Sequence, residues 1–439
     1  MAVTLRQVVQ SEASFSFIHA ADLHLDSPFI GVRADAPFVA DALCDASLNT
    51  YRAIIDLALS RKVDFVLFAG DIYDGADRGI RAQTQFRDGL KQLSDEGIQS
   101  FIVHGNHDPL ESGWSAIANS FPTGTTIFPT EKTATVEIVR DGERIATVQG
   151  ISYRERATTD NLALRFRRPE GSGIHIGLLH CNVGGSANGH SNYSPCTLDD
   201  LRATGLDYLA LGHVHTRGIL AGGGGSGDPW IVYPGNAQSR NINEGGAKGV
   251  YVVEVHGGVI NDPEFVACDE VRFIREEINI EECESLIDIV DRFEQRGAEL
   301  LEMNTPRSII IRGTLTGRSP LHQELVAQDA VEDLLDAIRE KTRRYQPFCW
   351  WDQIADASSS PFDIEEIRQR HDFAADLVAT SEASATDPSA NEEIVQELIA
   401  NMPKQFRRDL EEVLSDQEFV TQLIANAQLR ALDAIVDLP

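Results

Sequence analysis

Positive charge is what this chain has too little of. Against 68 Asp and Glu it carries 38 Lys and Arg in 439 residues, a formal charge of −30. That balance excludes a protein that coats DNA through its own cationic surface. Cysteine is scarce as well. Cys44, Cys181, Cys196, Cys268, Cys283 and Cys349 are scattered with no Cys-x-x-Cys pair, so neither a disulfide framework nor a thiolate zinc site is indicated, and reduced thiols in a cytoplasmic protein fit best. No apolar run approaches the ~18 residues of a membrane span, and Met1 to Ser14 lack the apolar core of a secretory signal. A soluble, cytoplasmic chain with no membrane partner is the expectation. A 42% hydrophobic and 24% charged composition is ordinary for globular proteins, and the length suggests roughly two to three domains.

Short, continuously apolar runs at Phe15 to Ala20, Val63 to Ala69, Ser100 to Val103, Ile174 to Leu179 and Tyr208 to Leu211 read as buried strands. Helical spacing separates the first three: Leu43, Tyr51, Ile54, Ile55 and Ala58, then Phe86, Leu90 and Leu93. The alternation predicts a layered α/β sheet. A hairpin is expected at Ala134 to Val139 and Ile145 to Gln149, with further strands at Trp230 to Tyr233 and Val250 to Val255. Gly222 to Gly227 lacks the Gly-Lys-Ser/Thr ending of a phosphate loop and reads as a surface turn. The expected organisation is a first domain over 1–268, a small α/β domain over 269–379, a linker over 380–391 rich in Ala, Ser, Thr and Asp, and amphipathic helices over 392–439. Those last helices carry a stripe from Ile394 to Leu414 and read as a segment that docks on a partner protein.

The chemistry gathers where the five strands end. They lead into Asp22-Leu23-His24, Gly70-Asp71-Ile72-Tyr73-Asp74, Gly105-Asn106-His107-Asp108, His180, and Gly212-His213-Val214-His215. Ligands collect beyond the carboxyl ends of strands in α/β sheets, so these loops predict one rim lined with nitrogen and oxygen donors. Without a thiolate, such a cage suits two divalent metals of the manganese, iron, magnesium or zinc kind. Two such ions about 3.5–4 Å apart are a general device for phosphoester cleavage. Gly70, Gly105 and Gly212 are expected to let the backbone turn sharply beside the ligands.

These motifs resemble the calcineurin-like metallophosphoesterases, whose fold is a double-β sandwich flanked by helices. Phe17 to Asp26, Gly105 to Pro109, Asn192 to Cys196 and Tyr233 to Asn236 further resemble the SbcD-type DNA repair exonucleases, most closely their bacterial YhaO-like branch. The resemblance implies that Asp22, His24 and His215 hold one metal and Asn106, His180 and His213 the other, with Asp71 bridging. It implies manganese as the metal. It places His107 over the scissile phosphate and Asp74 where it would orient that histidine, although better-known SbcD relatives often carry histidine there. Gln238-Ser239-Arg240-Asn241 also departs from the branch, which has Gly-Arg-His after the glutamine.

Several features have plainer readings. His19, His104, His175, His256, His322 and His371 are expected to be structural, as is His190 despite its loop position; Asp26 and Asp108 read as turn or supporting residues. Arg154, Arg156, Arg165, Arg167 and Arg168 read as a solvated basic face before a phosphate-binding one, and Trp350-Trp351 as packing before base stacking. The expected function is a manganese-dependent DNA exonuclease subunit of an SbcC-like coiled-coil ATPase complex in break repair, the partner supplying the grip on DNA that an acidic chain lacks. A phosphatase or cyclic nucleotide phosphodiesterase, and a mainly structural subunit with a gated site, remain alternatives; a homodimer also stays open.

Overall fold

The apolar runs become strands because both of their faces are covered. The computed structural model describes residues 14–27, 29, 36–75, 79–111, 120–140, 142–184, 192–222, 228–327, 329–386 and 417–436. Its elements begin with β1 (Phe15–Ala20), α1 (Pro37–Arg61), β2 (Phe65–Ala69), α2 (Ile80–Asp95), β3 (Gln99–Val103) and β4 (Thr125–Ile127). The hairpin β5 (Ala134–Arg140) and β6 (Glu143–Gly150) follows, then β7 (Ile174–His180), β8 (Asn182–Val183), β9 (Pro195–Cys196), α3 (Leu198–Ala203) and β10 (Tyr208–Gly212). Next come β11 (Gly218–Ala221), β12 (Trp230–Tyr233), β13 (Gly249–His256), β14 (Val259–Ile260) and β15 (Glu264–Ala267).

One sheet runs β14-β13-β1-β2-β3-β4, with β15 also on β13; the other runs β11-β12-β10-β7-β6-β5. Strands β1 to β4 are parallel neighbours, as are β6, β7, β10 and β12. Alternate residues divide between layers. Phe17, Phe65, Leu67 and Phe101 of the first sheet meet Ile176, Leu178, Tyr208 and Ala210 of the second in the sandwich interior. On the outer side of the first sheet, Ile18, Val66, Phe68 and Ile102 pack with Tyr51, Ile54 and Ala58 of α1 and Phe86 and Leu90 of α2. The outer side of the second sheet buries Leu179, Leu209, Leu211 and Ile231 under Leu162, Phe166 and Leu201. This is the expected double sandwich flanked by helices.

After it come β16 (Val271–Asn279), α4 (Leu286–Asn304), β17 (Ser308–Thr316), α5 (His322–Leu325), α6 (Ala330–Thr342), β18 (Cys349–Asp356), α7 (Ile364–Gln369), α8 (Phe373–Thr386) and α9 (Gln417–Val436), with sheet order β16-β17-β18. Two compact units are distinguished: Met1–Arg275, Gln295–Arg312 and Arg339–Gln353 form one, and Glu276–Glu294, Gly313–Ile338 and Ile354–Pro439 the other. In the first, Trp350 packs with Phe273, Ile310, Val39 and Leu43, and Trp351 is wholly buried. Both tryptophans therefore serve packing. In the second, Ile367, Ala374, Val378 and Leu432 form a small core, and Arg318 donates to both carboxylate oxygens of Asp433 at 3.0 Å. Helix α8 extends through residues 380–386, the start of the segment read as a linker. The remainder of that segment and the Ile394 to Leu414 stripe lie outside the described residues.

Candidate metal centre

Parallel pairing brings the ends of β1, β2 and β3 to one edge of the first sheet and those of β7 and β10 to one edge of the second. Three contacts fasten the two sheets there. His19 Nε2 lies 3.1 Å from the Leu211 carbonyl, His180 Nδ1 lies 2.9 Å from the Ala69 carbonyl, and the His213 N–H donates to both Asp22 oxygens at 3.0 and 3.1 Å.

All nine residues expected at the site converge. Asp22, His24 and His215 offer donor atoms within 4.8 Å of one another, and so do Asp71, His180 and His213. His24 Nε2 and His215 Nε2 are 3.2 Å apart. Asn106 Oδ1 lies 3.0 Å from His180 Nε2 and 3.1 Å from His213 Nδ1. Asp71 Oδ2 lies 3.4 Å from His180 Nε2 and 3.9 Å from His24 Nε2, within reach of both groups. His107 donates its backbone N–H to Asp71 Oδ1 at 2.9 Å, and its Nδ1 lies 2.7 Å from Asp74 Oδ1. A third grouping, His24, Asp74 and His107, also satisfies the 4.8 Å spacing.

The backbone is strained where these side chains leave it. Asp22, His24, Asp71 and His213 have φ of 51°, 43°, 50° and 105°, a region that non-glycine residues hold only when neighbours enforce it. Here Asp22 donates its N–H to the Gly70 carbonyl at 3.1 Å and His24 to that of Asp71 at 3.0 Å. The Asp108 carboxylate, expected to be a supporting residue, accepts from the N–H of Ile72 and of Gly105 and from His104, tying the second loop to the third.

The glycines correct one expectation. Only Gly70 needs a positive φ, at 93°. Gly105 and Gly212 are required for space: a Cβ on Gly105 would lie 2.7 Å from His180 Nε2, and one on Gly212 2.9 Å from the Ala69 carbonyl carbon.

Burial and charge act against each other in the cage. Burial pushes Asp22 up to about 6 and His24 down to about 4. Burial would also raise Asp71, yet the charge and hydrogen bond of His180, with His24 beside it, hold its carboxyl well below the usual range; His180 is raised correspondingly. Desolvated carboxylates that must recruit positive charge suit a divalent cation equally well. The donors are imidazole, carboxylate and amide, and 3.2 Å is an ordinary spacing for two nitrogens that bind one cation at ~2.1 Å each. The residues fit the metals that the motifs imply.

Sequence reasoning missed Glu244 and Ser27. Glu244 Oε1 takes His215 Nδ1 at 2.7 Å, while Ser27 Oγ donates to Asp74 Oδ2 at 2.8 Å. Neither stands in a recognisable pattern. Of the other histidines, His19 also meets Tyr208 Oη at 3.1 Å, His175 meets Thr147 at 2.8 Å and His322 meets Ser358 at 3.0 Å, in keeping with structural roles; His190 lies outside the described residues. The basic cluster is mostly spoken for. Arg154 pairs with Glu111, Arg165 with Asp160 and Arg168 with Asp207, whereas Arg167 donates to the carbonyls of Leu164 and Phe166.

Residues 15–217 match the calcineurin-like phosphoesterase family, and residues 273–359 match the middle domain of metallophosphoesterase YhaO. An uncharacterized metallophosphoesterase YhaO of Bacillus subtilis is 33% identical over 352 residues, 80% of this chain and 84% of that one. The chain belongs to the calcineurin-like metallophosphoesterases of the YhaO type. It is therefore a phosphoester hydrolase, of a fold that holds divalent metal ions. More distant relatives are the DNA double-strand break repair protein Mre11 of Thermoplasma acidophilum, 25% identical over 54% of this chain and 63% of that one, and a subunit of the nuclease SbcCD of Bacillus subtilis, 23% identical over 55% and 66%. Among the described residues no helix is long and apolar enough to cross a membrane.

Proposed function

We propose that this YhaO-type chain is a two-metal phosphodiesterase acting on DNA, an exonuclease or end-processing subunit that works with an SbcC-like ATPase. The observation that carries the reading is the meeting of two donor groups, Asp22, His24 and His215 beside Asp71, His180 and His213, with Asn106 between two of the histidines and His107 at their edge. Asp22, His24 and His215 would hold one ion and Asn106, His180 and His213 the other, with Asp71 serving both. Bound there, the ions would supply an activated water and neutralise charge on the phosphate.

The protein's own part is positioning and proton delivery. His107 is partly exposed, with Nδ1 held by Asp74, so Nε2 is left to face a substrate. In that orientation it stabilises the phosphate and protonates the leaving oxygen. DNA as substrate and an ATPase as partner are supported by the relatives named for break repair and for the SbcCD nuclease. The partner also answers the charge of −30, since an acidic chain has little with which to displace phosphate counterions. One observation favours the small-substrate alternative: acids or carbonyls already engage Arg154, Arg165, Arg167 and Arg168, which leaves little free cationic surface near them. Assaying the manganese-loaded chain on linear duplex DNA and on bis(p-nitrophenyl) phosphate, with and without the ATPase, decides between them. Cleavage of the small diester alone, under every condition, would overturn DNA as substrate.

A further inference from the structure

Arg240 joins parts of the site that the ligand set does not connect. From one terminal nitrogen its guanidinium donates to Asp74 Oδ2 at 2.6 Å, and from Nε to Ser27 Oγ at 3.2 Å. Ser27 Oγ donates in turn to the same Asp74 oxygen at 2.8 Å. The other oxygen, Oδ1, faces imidazoles, 2.7 Å from His107 Nδ1 and 3.5 Å from His24 Nδ1. Arg240 also acts through its backbone. Its N–H donates to Glu244 Oε2 at 2.6 Å, an oxygen shared with the Asn236 amide at 2.8 Å, while Glu244 Oε1 takes His215 Nδ1 at 2.7 Å.

An aspartate turns on two side-chain torsions and could present either oxygen to either neighbour. Asp74 is not sealed in an apolar wall, its side chain being 19% exposed, so its orientation must come from polar partners. A guanidinium and a hydroxyl on Oδ2 leave Oδ1 for His107, and hydrogen bonds to charged groups are the strong ones. We propose that Arg240 is a positioning residue for the hydrolytic reaction: it fixes Asp74 so that His107 is held with Nε2 toward the substrate, while its backbone registers the same loop against His215 through Glu244. The inference rests on the reading of His107 as the proton donor. It makes the Asp74 and Arg240 pair a single unit, joined through Asp74 Oδ2.

The test uses the full manganese-loaded chain and bis(p-nitrophenyl) phosphate. Arg240→Ala is expected to lower kcat by about ten- to a hundredfold, the scale of one hydrogen bond to a charged group, with KM and bound manganese unchanged. Added guanidinium should restore part of that loss in Arg240→Ala and none in Asp74→Asn, and the double variant should be no slower than the worse single one. A raised KM with kcat retained would make Arg240 a substrate contact, and loss of metal in step with activity would make it a support of the cage; either overturns the proposal. Should the unaltered chain hydrolyse no phosphodiester at all, the functional reading fails, and imidazole nitrogen NMR on the full chain loaded with diamagnetic magnesium still decides the positioning. The His107 Nδ1–H resonance should be protected from exchange in the unaltered chain and in Arg240→Lys and lost in Arg240→Ala; an unchanged resonance in Arg240→Ala would refute it.

Discussion

His107 and His19 show how one residue type serves opposite ends by environment. His107 is partly open and leans on a carboxylate, so it can take part in proton transfer. His107→Ser should lower turnover by about two to four orders of magnitude while both metals stay bound, as measured by kinetics and metal analysis on the same sample. His19 is wholly buried between the sheets, and burial lowers its pKa to about 3 despite the hydrogen bond to Leu211. The folded chain therefore keeps it neutral where the unfolded chain binds a proton, and the stability this confers is lost as pH falls from about 6.5 toward about 3. Denaturant unfolding in chelator at pH 7.5, 6 and 5 should show a shallower decline for His19→Gln than for the unaltered chain; parallel declines would contradict it. The ligand residues were legible because each directly follows a continuous apolar run, and a strand end in an α/β sheet fixes where such a side chain goes. Glu244, Ser27 and the reach of Asp108 to Ile72 were not identifiable, because these partners come from distant segments, and the use of Gly105 and Gly212 as empty space depends on what faces them. Two of the acids that neutralise the arginine cluster were hidden for the same reason, Glu111 lying 43 residues from Arg154 and Asp207 39 from Arg168.

Among the elements, the central strands of the sandwich follow from continuous apolar runs and its helices from helical spacing, both of which a sequence shows directly. The last helix is different. Its apolar positions could equally line a partner or the chain itself, and only contact decides: Leu432 of α9 is buried with Ile367, Ala374 and Val378, and Asp433 holds Arg318. Leu432→Ala is expected to destabilise the second unit by about 2–5 kcal/mol, the range for emptying a leucine site in a core, while hydrolysis of a small diester persists. Calorimetric unfolding of the variant checks it, and an unchanged transition would show that α9 adds nothing to that core. Truncation after Thr380 removes this support along with any docking segment, so partner binding by such a chain should be read beside its unfolding curve.

The whole molecule is an acidic carrier of a metal centre. With a net charge of −30, the purified chain should bind duplex DNA weakly and with a shallow dependence on salt, and a basic or ATP-clamped partner should both tighten binding and steepen that dependence. Fluorescence anisotropy across a salt series reads both; tight binding by the chain alone, with a steep slope, would contradict the proposed division of labour. The claim beneath all of this is that two cations occupy the rim, and anomalous X-ray scattering from manganese-loaded crystals tests it most directly. Two peaks are predicted, one among Asp22, His24 and His215 and one among Asn106, His180 and His213, with Asp71 touching both; a single peak, or one centred among His24, Asp74 and His107, would contradict the account.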